Sequence, residues 1–140
     1  MLVDELILTQ YFLKWRSNYF GFDLPIPKFK LTNNFNIVAR FECNLDCNND
    51  MYDETIYFSR QYDYSDYDLD NLMVHEMIHY YLCMHKIDLR CTHGMSFKNM
   101  AKQINERFHL RVSKYVDGLT LRSDYSRVRK FFSFLEPLYY

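Results

Sequence analysis

Two histidines four residues apart, with a glutamate after the first, are the side chains of this chain best suited to chemistry: His75-Glu76-Met77-Ile78-His79. On an α-helix, positions four apart lie about 40° round and roughly 6 Å along the axis, so both imidazoles can face one ion. Glu76 sits on the neighbouring flank, where its carboxylate can reach a water on that ion without ligating the ion itself. Zinc (Zn2+) suits such a donor set and lowers the pKa of a coordinated water to about 7. The glutamate would take that water's proton as the hydroxide attacks a carbonyl carbon. The pattern is that of a zinc hydrolase, with His75 and His79 as ligands and Glu76 as general base.

A catalytic zinc takes three protein ligands and keeps a fourth position open. His85 lies ten residues after His75 and about 80° off its face, so it points elsewhere. Cys83 shares the stripe of His75 but lies about 12 Å along the axis, too far for one ion. His93 stands in a loop before a second helix, where a chain reversal would bring it over the first, and it is the expected third ligand. Glu106 and His109, further along that second helix, stay as alternatives.

The run His75-Glu76-Met77-Ile78-His79-Tyr80, followed by His93-Gly94-Met95-Ser96-Phe97, resembles the SprT-like (Spartan-type) metalloprotease domain. The likeness continues through residues 98–105, where that family carries a similar helix ending near an Asn, and more loosely upstream, covering residues 1 to about 110. What the resemblance implies is a zincin fold, three histidine ligands to zinc, a glutamate base and proteolysis. Carried onto this chain, the ligands are His75, His79 and His93 and the base is Glu76. In several members the substrate is protein covalently trapped on DNA. Many also add a C-terminal zinc ribbon of paired C-x-x-C motifs, and here the chain departs from the pattern. Its four cysteines are Cys43, Cys47, Cys83 and Cys91. Cys43 and Cys47 are spaced C-x3-C with no second pair, and they read as reduced thiols beside a strand.

At 140 residues, a single domain buries close to 70% of its unfolded surface, enough for a core without disulfide staples. Three Gly and three Pro leave no linker or low-complexity tract. The chain therefore reads as one domain over 1–140, with a core to about 110 and a basic, aromatic extension over 111–140. The N-terminus lacks a basic leader region and no apolar run is long enough to span a bilayer, so a cytoplasmic protein with reduced thiols and no membrane partner is expected. Charge is divided unevenly. Residues 1–97 carry eight Lys/Arg against fourteen Asp/Glu, and residues 98–140 carry nine against four. Arg107, Arg111, Lys114, Arg122, Arg127, Arg129 and Lys130 read either as a basic strip for DNA or as an ordinary solvated face. The acidic first part could attract a basic, DNA-bound protein substrate.

The expected architecture is α+β and zincin-like, with a small three-stranded or larger mixed or antiparallel sheet packed on helices, one of which carries the His75–His79 motif. An amphipathic helix spans 3–19, with Leu6, Ile7, Leu13 and Phe20 among its apolar positions. Strands follow around Phe29 and Leu31, and around Ile37, Ala39, Phe41 and Cys43. Residues 44–54 read as a polar loop and 55–59 as a third strand. The His75 helix is apolar on most sides, with Asp66 or Asp68 as its N-cap. A second helix over 96–108 buries Phe97, Met100, Ala101, Ile104 and Phe108. A short strand then runs to 116, and a helix spans 123–135. In zincins an edge strand holds the substrate backbone, and residues 55–59 or 35–43 could serve. Tyr80, Tyr81 and Tyr115 could by chemistry stabilise an oxyanion. Two other readings compete with the peptidase: a DNA-binding or regulatory zinc module that cleaves nothing, and a site-specific regulatory peptidase.

Overall fold

The computed structural model describes residues 1–89, 92–116, 118–122 and 138–139, and the fold is given for these. Among them stand three α-helices, a three-stranded mixed sheet and two small strand pairs, an α+β arrangement as expected.

Helix α1 (Glu5–Trp15) starts at Asp4, whose carboxylate accepts from the Ile7 amide at 2.8 Å. That satisfies one of the amides a helix start leaves without a partner. Leu8, Phe12 and Trp15 recur at helical spacing and form its buried face. Leu6, expected on that face, is 67% exposed, because the stripe centred on Phe12 turns it outward. Nor is the helix continuous to 19. At Arg16 it widens into a π-helical turn (Arg16–Phe20) that still buries Phe20. Gly21 ends it at φ 87°, a conformation glycine adopts without cost.

Strands β1 (Lys28–Thr32), β2 (Ala39–Leu45) and β3 (Met51–Ser59) are ordered β1-β3-β2, with β1 parallel and β2 antiparallel to β3. Two expectations change here. Residues 44–54 are largely strand, and only 46–50 turn, held by the Asp46 carboxylate on the amides of Asn48 (2.8 Å) and Asp50 (3.0 Å). This end of the hairpin is exposed on both faces and so lacks apolar alternation. A bulge between Glu42 and Asn44 and the positive φ of Asp53 further break its period of two. Second, residues 55–59 are central and paired on both sides, so they offer no edge to a substrate.

Helix α2 (Asp66–Met84) carries the two-histidine motif. Its N-cap is Ser65, not Asp66 or Asp68. The Ser65 hydroxyl accepts from the Asp68 amide (3.0 Å), and the Asp68 carboxylate accepts from the Ser65 amide (3.2 Å), closing a capping box. Leu69, Leu72, Met73, Val74, Met77 and Ile78 are buried round most of its circumference. Each such side chain contributes roughly 1.5–3 kcal/mol on leaving water. Helix α3 (Met95–Phe108) buries Phe97, Ala101 and Ile104, while Met100 and Phe108 are half-buried. Phe108 meets Trp15 edge-on at 5.1 Å, joining α3 to α1.

The remaining strands are two residues each: β4 (Tyr62–Asp63) pairs with β6 (Thr120–Leu121), and β5 (Tyr115–Val116) with β7 (Leu138–Tyr139). Strand β5 matches the one expected to end at 116. The helix expected over 123–135, with Arg127, Arg129 and Lys130, lies outside the described residues. No helix among the described residues is long and apolar enough to cross a membrane.

Candidate metal centre

Three imidazoles converge on one point. The Nε2 atoms of His75 and His79 are 3.0 Å apart, and that of His93 is 3.2 Å from each of them. Nitrogens about 2.0–2.1 Å from a common centre at tetrahedral angles lie roughly 3.3 Å from one another, so the triangle has the size a zinc ion requires. His75 and His79 get there by their spacing of four on α2, and His93 by the return of loop 86–94 over that helix. Among the described residues this is the one cluster of three or more His, Cys, Asp or Glu able to hold a metal ion.

The triangle is held from behind. The Nδ1 atom of His75 lies 2.9 Å from the Ser113 carbonyl oxygen. A carbonyl can only accept, so Nδ1 carries the proton and Nε2 presents its lone pair. The Ser113 segment is itself tied down by two asparagines. Asn105 of α3 brackets Val112, its amide donating to the Val112 carbonyl (3.1 Å) and its oxygen accepting the Val112 amide (2.8 Å). Asn71 of α2 accepts the Arg111 amide at 2.6 Å while donating to the Tyr67 carbonyl. Beneath the imidazoles, the Phe97 ring lies 4.7, 4.8 and 4.9 Å from those of His75, His79 and His93, stacking on His79. Burial lowers the pKa of His75 well below the ordinary histidine value, helped by the other two rings. It lowers that of His79 to about 4, helped by His93. Both rings are therefore neutral at pH 7, the form that ligates a metal.

Glu76 is 1% exposed, with one carboxylate oxygen 4.0 Å from the His75 Nε2. Neither oxygen has a hydrogen-bond partner of normal geometry. Burial pushes its pKa up to about 8, opposed only by a looser approach of the Phe41 main chain. A buried carboxyl left without partners is costly unless a ligand completes it. Beside three convergent lone pairs, an ion and its water are the chemistry that would do so.

The Phe41 approach follows from strand register. Ser59 donates to the Val38 carbonyl at 2.7 Å, so the next opposed pairs alternate. Ala39–Phe58 and Phe41–Ile56 are non-hydrogen-bonded pairs, and the N–H and C=O groups of Ala39 and Phe41 point out from the free edge of β2. That edge and α2 bound a cleft of about 940 Å3, lined by Ala39, Phe41, Cys43, Glu76, His79 and His93 among others. Exposed Ile37, Leu45, Ile87 and Leu89 rim it.

The other candidates fall away from the centre. His85 caps the end of α2 with its ring on Tyr81. Glu106 lies exposed on α3, and His109 ends that helix in a left-handed conformation. Cys83 is not core. It is half-buried in the cleft wall, with its sulfur 3.4 Å from that of Cys43, so the neighbour of Cys43 is Cys83 rather than Cys47. The Tyr80 hydroxyl donates to the Pro25 carbonyl, and its ring packs between Phe12 and Phe41. Tyr81 lies against Phe20 and His85, and Tyr115 is exposed on β5. Sequence reasoning missed Ser113 and Asn71. The first acts through a backbone carbonyl, which leaves no side-chain signature. The second shows only as a polar residue in an apolar run.

Comparison with curated proteins returns no match. The model of the SprT-like family, in contrast, matches residues 8–116, which takes in α1, the sheet, α2, His93, α3 and the Ser113 segment. The chain belongs to the SprT-like family.

Proposed function

We propose that this protein is a zinc-dependent endopeptidase, with His75, His79 and His93 as the zinc ligands and Glu76 as the general base. The observation that carries this reading is the Nε2 triangle beside a buried carboxylate that lacks partners. Zinc, when bound, supplies Lewis acidity: it polarises a peptide carbonyl and lowers the pKa of water. The Ser113 carbonyl keeps His75 in the ligating tautomer, and Phe97 keeps the three rings in register. Glu76 accepts the water proton on its free carboxylate oxygen and later passes it to the leaving amine. The outward N–H and C=O groups of Ala39 and Phe41 extend the sheet by one strand of substrate, which fixes the backbone and not the side chains. Such binding suits a protease of broad sequence range. By resemblance to its family, the substrate is a protein bound to or trapped on DNA, drawn by the acidic first part of the chain and with DNA met by the basic second part. The reaction would take place in the cytoplasm.

The test is cleavage of a basic DNA-binding protein, with and without single-stranded DNA, by the zinc-loaded chain. The Glu76→Gln variant is expected to keep its zinc and to lose turnover by about 10²–10⁴, the usual contribution of a general base. His93→Ala is expected to lose both zinc and activity. Wild-type activity in Glu76→Gln would remove the assignment of the base. Full zinc occupancy in His93→Ala would remove that of the third ligand. Stimulation by DNA would support the DNA-linked substrate, and indifference to DNA would leave a peptidase of other purpose.

A further inference from the structure

A second hollow, of about 380 Å3, shares His93 with the cleft and has otherwise separate walls. Phe97, Ala101 and Asn105 line it from α3, spaced by four so that they follow one stripe of the helix. Val112, Ser113 and Lys114 form the opposite wall. Phe97, Ala101 and Val112 are buried, and the Asn105 amide is committed at both ends to Val112, so the floor is effectively apolar. Along the outer rim run Lys98, Lys102 and Glu106, one turn apart and exposed, with Lys114 on the other side. Neither Lys98 nor Lys102 makes an ion pair among the described residues. From Phe97 to Asn105 the helix rises about 12 Å, the length of three to four extended residues.

We infer that this groove is a subsite for the stretch of polypeptide leaving the metal centre past His93, and that it selects acidic side chains there. The inference rests on the peptidase reading and names a substrate preference for it. The groove begins at a ligand, so a chain lying across the centre enters it directly. Its near end carries two cations that make no ion pair among the described residues; they attract a carboxylate and repel lysine or arginine, so cuts in a basic substrate would fall where its chain turns locally acidic. Its apolar floor takes the methylene stem of a glutamate. Glu106, at the far end, limits the preference to the first positions. A nucleic-acid strand fits the groove less well. Stacking needs an exposed aromatic face, and Phe97 is 3% exposed beneath the imidazoles. Combined with the apolar rim of the cleft, the preference becomes directional, with apolar residues on the β2 side of the scissile bond and acidic ones beyond it.

The test uses zinc-loaded Glu76→Gln, which binds without turnover, and short fluorescein-labelled peptides that differ only in an adjacent pair of Glu or Gln. Anisotropy at low salt is expected to show the Glu peptide bound about five- to tenfold more tightly, the range of two exposed charge pairs. The advantage is expected to vanish when Lys98→Gln and Lys102→Gln are added, with zinc content unchanged. Equal binding of the two peptides, or a preference that survives the lysine changes, would overturn the inference. Displacement of the Glu peptide by a single-stranded oligonucleotide that itself needs both lysines would reassign the groove to nucleic acid. The peptidase reading is judged separately by cutting the same peptides with wild type. Cleavage without acidic preference sinks the subsite alone, whereas preferential binding without cleavage keeps the subsite and sinks the peptidase.

Discussion

Glu76 illustrates how one side chain can carry a cost that the proposed role of general base would require. Its carboxyl has no hydrogen-bond partner of normal geometry, only the loose approach of the Phe41 main chain, and burial raises its pKa from the ordinary 4.5 to about 8. The histidines shift the other way, His79 from 6.5 to about 4 and His75 well below 6.5. These shifts set the pH dependence of the metal-free fold. Between pH 4.5 and 8 the native state keeps a proton on Glu76 that the unfolded chain releases, so this group's contribution falls as pH rises. Between about pH 4 and 6.5 the native state binds fewer protons at the histidines, so theirs grows as pH rises. Chelated protein is therefore expected to gain stability up to about pH 6 and to lose it from 6.5 to 8, as followed by urea unfolding. Glu76→Gln should abolish the upper decline and leave the lower rise; a wild-type curve flat from 6.5 to 8 would contradict the buried, partnerless carboxyl. At this scale the sequence was highly legible where chemistry resides in side chains. His75, Glu76, His79 and His93 are brought together as their spacing and loop predicted. What escaped is carried by the backbone, or by residues with several equivalent neighbours. Ser65 does not stand out as the cap because Asp66 and Asp68 share its turn and its chemistry.

The elements divide into those that bear the site and those that brace it. α2 presents His75, His79 and Glu76, yet the orientation of His75 depends on residues 111–113, an irregular segment with no periodicity of its own. Asn105 holds that segment by bonding both backbone groups of Val112, which imitates a strand partner. Asn105→Ala is expected to leave the Val112 groups unpaired and cost about 1–3 kcal/mol of stability. Through the freed Ser113 carbonyl it should also weaken zinc binding about 10–100-fold, the usual result of losing a partner behind a ligand. Competition with a chelating dye measures the second effect. Unchanged affinity in the folded variant would show that His75 needs no such brace. Element types are legible for α1, α3 and the three main strands from their apolar faces, and for α2 from an apolar run that goes round most of the helix. Element lengths were misread where that face ends. The distal hairpin lies beyond the core, and α1 changes to a wider turn where the chain must bury Phe20. The pairings of β4 with β6 and β5 with β7 join residues distant in sequence and leave no local trace.

Across the whole molecule, the charge asymmetry of the sequence maps onto the layers. The sheet, α1 and all of α2 belong to the acidic part, while all but the first turn of α3 and residues 110–116 belong to the basic one. The three histidines stand just before that boundary in the chain, with His93 nearest to it. A further consequence follows from where the ligands stand in the chain. All three lie between 75 and 93, in α2 and the loop entering α3. An ion held by these three side chains would fasten α3 and the Ser113 segment to α2, with no ligand from α1 or the sheet. Those make their own contacts with α2, through Phe12 and Phe41 on Tyr80 and through Lys14 and Trp15 on Asp70. Chelation is thus expected to unlatch one side without melting the other. Hydrogen exchange should quicken over 92–113 while α1, β1 and β3 keep their protection; equal loss everywhere would mean that the ion underwrites the entire fold. If the proposed zinc peptidase is right, starvation for the metal would then leave a folded, silent protein, and restoring the metal would restore activity at the speed of diffusion and local closure, with no need to fold anew.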